Sequence, residues 1–194
     1  MASRPQGMSE ADRRIVAVWA ADCAEHVLPL FEAEAPEDDR ARDAIARTRA
    51  FARGELAAAG EIRRRFIAGR AARSARSPAG VAAARSAAQA AGVAHMGAHA
   101  LGAAAYAAKA VELAHPTVSG ARAEEVRWQL DRLPSGAVAA LRRLPALGTD
   151  TAGPLGPGLL AAGALGEVIR EIQVWLEAQP VPDPEEAAGD EPTA

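Results

Sequence analysis

Aromatic side chains are scarce in this chain: three Trp, one Tyr and three Phe make up 4% of 194 residues. Runs of β-branched residues are nearly absent too, which leaves little material for strands. Alanine fills the gap, and small side chains let helices cross at short range. The composition therefore predicts an all-α protein. A single cysteine, Cys23, excludes an internal disulfide and fits a reducing cytoplasm. No charge-free apolar run reaches 18 residues, and residues 1–14 lack the apolar stretch of a signal peptide, so a cytoplasmic protein with no membrane association is expected. Lys109 is the only lysine; the basic side is otherwise arginine, which reads as a GC-rich coding bias and a bacterial source. The formal net charge of −3 gives no bulk attraction to nucleic acid or an anionic membrane.

Hydrophobic residues at 49% and charged residues at 24% suit one domain with a sizeable core. The pattern predicts a compact bundle of about five to seven helices with an alanine-rich core. Residues 1–8 read as a flexible leader and 9–147 as the main helical domain. Ser9 is a plausible cap for a first helix running to about Glu34, with Val16, Ala20, Cys23, Val27 and Phe31 as its inner stripe and, because Pro29 lies inside it, a kink or break expected near Glu25–Leu28. Asp38 or Asp39 would cap a second helix over about Arg40–Arg53, ended by Gly54. A third, over about Glu55–Arg73, carries Arg63, Arg64, Arg65, Arg70 and Arg73, with Arg76 just beyond; such a string reads first as a solvated face paired to carboxylates, and second as a face for an acidic partner or a phosphate. Pro78 marks the next start, followed by one long central helix over Val81–Ala114, bent near Gly92 or Gly97. Helices over about Ala121–Leu133 and Gly136–Leu144 follow. Residues 148–157 read as a Gly/Pro linker, 158–178 as an amphipathic C-terminal helix, and 179–194 as a disordered acidic tail.

Two polar pairs stand in otherwise apolar segments: Asp22 with His26, and His95 with His99. Each is spaced i, i+4, one turn apart on one helix face. Burying such groups costs several kcal/mol unless they are paired. If the first and central helices face each other, the four residues form a buried polar network or line a pocket with Trp19 and Tyr106. They are also the only residues in a pattern that could hold a metal, yet the HxxxH string lacks the glutamate of a zinc-protease helix, so no metal or other cofactor is expected. Asp39 and Arg42 sit at the start of the second helix, and Arg42 could reach back to Asp22 to extend the network. Cys23 lies three residues before His26, but on the inner stripe a lone cysteine reads as a small core residue. No phosphate-binding glycine loop, nucleophile elbow or dinucleotide fingerprint appears.

The strings WAADCAEHVLPLFE at 19–32, PEDDRARDAI at 36–45, FARGE at 51–55 and AHMGAHALGAAAYAAKAV at 94–111 resemble small bacterial immunity proteins of the immunity-protein-five-like type, found mostly in actinobacteria. The resemblance covers about residues 13–144. It implies an all-helical, non-enzymatic domain that binds and neutralises a cognate toxin of a polymorphic toxin system. Ala41 and Phe51 stand where members often carry proline and tryptophan. The helix at 158–178 lies beyond the shared region and could cover the core or serve a homodimer. The competing expectation is a small-molecule or metal pocket between the first and central helices, lined by Asp22, His26, His95 and His99.

Overall fold

Ser9 opens the first helix by accepting the Asp12 backbone N–H on its hydroxyl at 3.0 Å, with Glu10 and Asp12 in the first turn complementing the helix dipole. This capping is visible in a computed structural model that describes residues 8–180. The expected leader before Met8 and the expected tail beyond Pro180 lie outside the described residues. Among the described residues the fold is compact and all-helical, with no strand. The order is α1 (Glu10–Glu32), α2 (Arg40–Ala52), α3 (Ala58–Ala71), α4 (Pro78–Gly92), α5 (His99–Ala114), α6 (Ala121–Leu130), α7 (Ser135–Arg142) and α8 (Gly163–Ala178). A short 3-10 turn at Leu159–Ala161 precedes α8. No helix among them is long and apolar enough to cross a membrane.

α1 is continuous through Pro29, and its inner stripe of Val16, Ala20, Cys23, Val27 and Phe31 is buried. Gly54 ends the α2 segment with φ +83°, a left-handed conformation that favours glycine. Asp39, at the N-cap of α2, makes no capping bond with its side chain; Asp38 instead accepts the Arg40 backbone N–H at 3.2 Å. Ser77 caps α4 by accepting the Gly80 N–H at 3.0 Å, and Pro78 starts the helix.

The expected single central helix is two helices, so the expected five to seven become eight. Residues 93–98 form a tight turn, and α4 and α5 run antiparallel. The pairing is readable from residue numbers: Arg85 meets Tyr106, Ser86 meets Ala103 and Gln89 meets His99, each pair adding to nearly the same total. A straight helix over Val81–Ala114 would be about 50 Å long and leave alanine faces in water. Folded back, Ala83, Ala84, Ala87 and Ala90 bury against the half carrying Ala100, Ala103, Ala104 and Ala107. Gly92 permits the approach: a Cβ there would lie 2.8 Å from the His99 ring.

This hairpin is the centre of the molecule. α1 packs along both of its arms, α2 and α3 cover the α4 side, and α6 and α8 cover α5. The Gly/Pro-rich stretch after α7 carries Leu155, which is fully buried, and the Gly148 N–H bonds the Leu155 carbonyl across it at 2.7 Å. α8 then buries Leu165, Ile169, Ile172 and Leu176.

Candidate functional site

A histidine on α1 faces a carboxyl group on α6. The Glu125 side chain is only 2% exposed, and its carboxylate is accommodated because both oxygens are engaged. One lies 2.8 Å from His26 Nδ1; the other accepts Gln129 Nε2 at 2.8 Å. Gln129 also donates to the Ala104 carbonyl at 3.2 Å, and its backbone carbonyl accepts the Trp19 indole N–H at 2.8 Å. Trp19 is thus a fully buried tie between α1 and α6. The His26 ring, 40% exposed, stacks on Trp128 with centroids 3.7 Å apart and planes 10° from parallel. The Arg132 guanidinium lies 4.2 Å over the same indole.

Two hollows meet at this stack. The larger, about 600 Å³, is walled by His26, Leu30, Val111, His115, Glu124 and Trp128, with Glu125 at its edge. The other, about 440 Å³, lies between Asp22, Glu25, His26, Trp128 and Arg132. Asp22 is bonded to Arg49 at 2.8 Å, and Arg49 also holds Glu25. Arg42 does not reach Asp22 as expected; it pairs with Glu32 at 2.5 Å, because at the first turn of α2 it faces the end of α1, whereas Arg49 lies two turns further along, opposite Asp22.

The second expected pair is not a helical pair. His95 is exposed in the α4–α5 turn, and His99 is the first residue of α5, with Nδ1 2.7 Å from Gln89 Oε1. His95, His99, Gln89 and Tyr106 border a separate hollow of about 350 Å³, closed by Gly153, Pro154 and Leu160. Tyr106 is buried, its hydroxyl 3.4 Å from Arg85. Asp22, His26, His95 and His99 therefore do not line one pocket: the fold-back carries both later histidines to the hairpin turn, and α6 supplies the partner of His26. Among the described residues no three His, Cys, Asp or Glu side chains come together as a metal-ligand set.

The chemistry of the first site follows from these contacts. A carboxylate on His26 Nδ1 fixes the ring and its tautomer, as in acid–base dyads. The nearby thiol cannot complete a nucleophilic pair: burial, then the charges of Glu125 and Asp22, push Cys23 far above the ordinary thiol range. Glu125, Gln129 and Trp128 were missed by sequence reading. Their signal was present, since Glu125 and Gln129 are another i, i+4 polar pair beside the apolar Val126 and Leu130.

What the fold and the site define together is an all-helical protein whose polar side chains tie helix to helix. The chain belongs to the Imm-5 like putative immunity protein family, whose model matches residues 6–136. No curated protein and no solved structure matches it. The match includes the His26–Glu125 site and ends at the start of α7, so α8 lies outside it.

Proposed function

We propose that this chain neutralises a cognate protein toxin in the cytoplasm by binding it, without catalysing a reaction. The observation that carries this reading is the family match over residues 6–136. The state of the reactive groups supports it: the Cys23 thiol is sealed in the core, and both Glu125 oxygens are engaged, one with His26 of α1 and the other with Gln129 of its own helix. The test is expression of each neighbouring gene product alone and together with this chain. A neighbour that is toxic alone, tolerated in co-expression and purified in a stable complex is the expected result. Neighbours that are neither toxic nor bound would remove the reading.

A second reading, a small-molecule site, is favoured by one observation. The 600 Å³ hollow joins an apolar wall of Leu30, Val111 and Val118 to the carboxylate of Glu124, a combination suited to an amine with an apolar body. Hexylamine, with hexanoate as the control of opposite charge, would quench or shift tryptophan fluorescence on filling it. Equal, weak effects from both probes would argue against such a site.

A further inference from the structure

A protein that acts by contact needs a surface for that contact. We infer that the outer face of α3, carrying Arg63, Phe66, Ile67 and Arg70 and continued by Arg73 in the turn just past its end, is this surface and that the partner meets it with an acidic face; this assignment rests on the toxin-binding reading. The spacing of Arg63, Phe66, Ile67 and Arg70 places these side chains on one side of the helix. Among the described side chains of α3, only Glu61, Ala68 and Ala71 are buried. Phe66 is 63% exposed, unusual for a large aromatic in a chain with so few of them.

The arginines are equally distinctive. All four on the neighbouring α2 hold carboxylates: Arg40 with Asp38, Arg42 with Glu32, Arg47 with Glu61 and Arg49 with Asp22. On α3 and in the turn after it, by contrast, Arg63, Arg70 and Arg73 pair with no carboxylate among the described residues, and Arg64 meets Asp43 only at 3.4 Å. The solvated-face reading of this string pairs it to carboxylates; Arg64 has Asp43, but Arg63, Arg70 and Arg73 have none among the described residues. Unpaired arginines around an exposed aromatic match the composition of protein interfaces, where arginine and phenylalanine are enriched and lysine is depleted. A partner with clustered carboxylates supplies the missing charges, and a recess in it takes the Phe66 ring. Nucleic acid and anionic membrane suit the patch less well, because the chain as a whole carries −3 and its other faces would be repelled by an extended phosphate surface.

The experiment compares wild type with Arg63→Glu/Arg70→Glu/Arg73→Glu and, separately, Phe66→Ala, in binding the toxin identified above. Circular dichroism and urea midpoints control for folding. Charge reversal is expected to slow association by about tenfold or more and to abolish its salt dependence. Phe66→Ala is expected to speed dissociation by about tenfold. A complex that forms with unchanged rates in both variants overturns the assignment while leaving the toxin reading intact. If no neighbouring product binds wild type, the toxin reading fails, and poly-L-glutamate becomes the probe of the face itself. Salt-sensitive binding lost on charge reversal retains the face; no binding overturns it. Tighter binding of duplex DNA or of phosphatidylserine vesicles through the same residues overturns the choice of an acidic protein.

Discussion

At the residue scale, His26 is more exposed than its energetic role suggests. Removing it leaves the Glu125 carboxylate buried with only the Gln129 amide as a partner. His26→Ala should therefore cost about 3 kcal/mol, the low end for breaking a buried pair, whereas Glu125→Gln, which removes the charge and keeps the shape, should cost less. Urea unfolding at neutral pH checks both. Gly92 gives a second expectation. Alanine normally favours a helix by about 1 kcal/mol over glycine, yet here its Cβ would strike the root of the His99 ring at 2.8 Å. Gly92→Ala should destabilise the fold by about 1–2 kcal/mol, and His99→Ala in the same chain should recover part of that loss. Cys23, with its thiol raised by burial, should stay unreactive to an aromatic disulfide reagent at pH 8 until the protein unfolds. Labelling of the native protein at a free-thiol rate would contradict that. The inner stripe of α1 was legible at this scale because it is local and periodic. The partner of His26 was not, because Glu125 lies 99 positions away and its i, i+4 spacing from Gln129 does not say which helix it faces.

The elements were legible to different degrees. Caps and breakers placed α1, α2 and the start of α4 well, since Ser9, Gly54, Ser77 and Pro78 act on their own neighbourhood. The α4–α5 break was legible only as a bend near Gly92 or Gly97. No proline marks it, and residues 93–98 are ordinary helix formers apart from Gly97; tertiary burial of two alanine faces overrides local preference. One join between elements has a pH signature. Glu34, at the end of α1, accepts bonds from the Ser77 hydroxyl, the Ser77 N–H at 2.8 Å and the Arg76 N–H at 2.6 Å. The Ser77 hydroxyl first, then these amides, hold its carboxyl below the ordinary 4.5. A carboxyl lowered by folding stabilises the native state above its unfolded value and loses that contribution as pH falls through the folded one. The unfolding midpoint of wild type should thus fall more steeply on acidification below pH 4.5 than that of Glu34→Gln. Parallel pH profiles would dismiss the contact as energetically idle.

At the scale of the whole molecule, the matched family region and the folded unit are different lengths of chain. α8 lies past residue 136 yet buries Leu165, Val168, Ile169, Ile172 and Leu176 against the rest. Fully burying such side chains contributes about 1.5–3 kcal/mol each, a sum comparable with the total stability of an ordinary domain. A chain ending at Leu147 should therefore lose cooperative unfolding and bind a hydrophobic dye; a sharp transition would show that α8 is dispensable. The all-helical class was legible from composition, but this dependence was not, because an amphipathic helix does not name the surface it covers. The hollow at the hairpin turn carries a further consequence. Its floor, with His99 and Tyr106, lies inside the family region, while its roof of Gly153, Pro154 and Leu160 lies outside. Its ceiling is thus a later stretch of chain, and any change of length or sequence between α7 and α8 would remodel this chamber while leaving the His26–Glu125 tie, built wholly from residues 19–132, as it is.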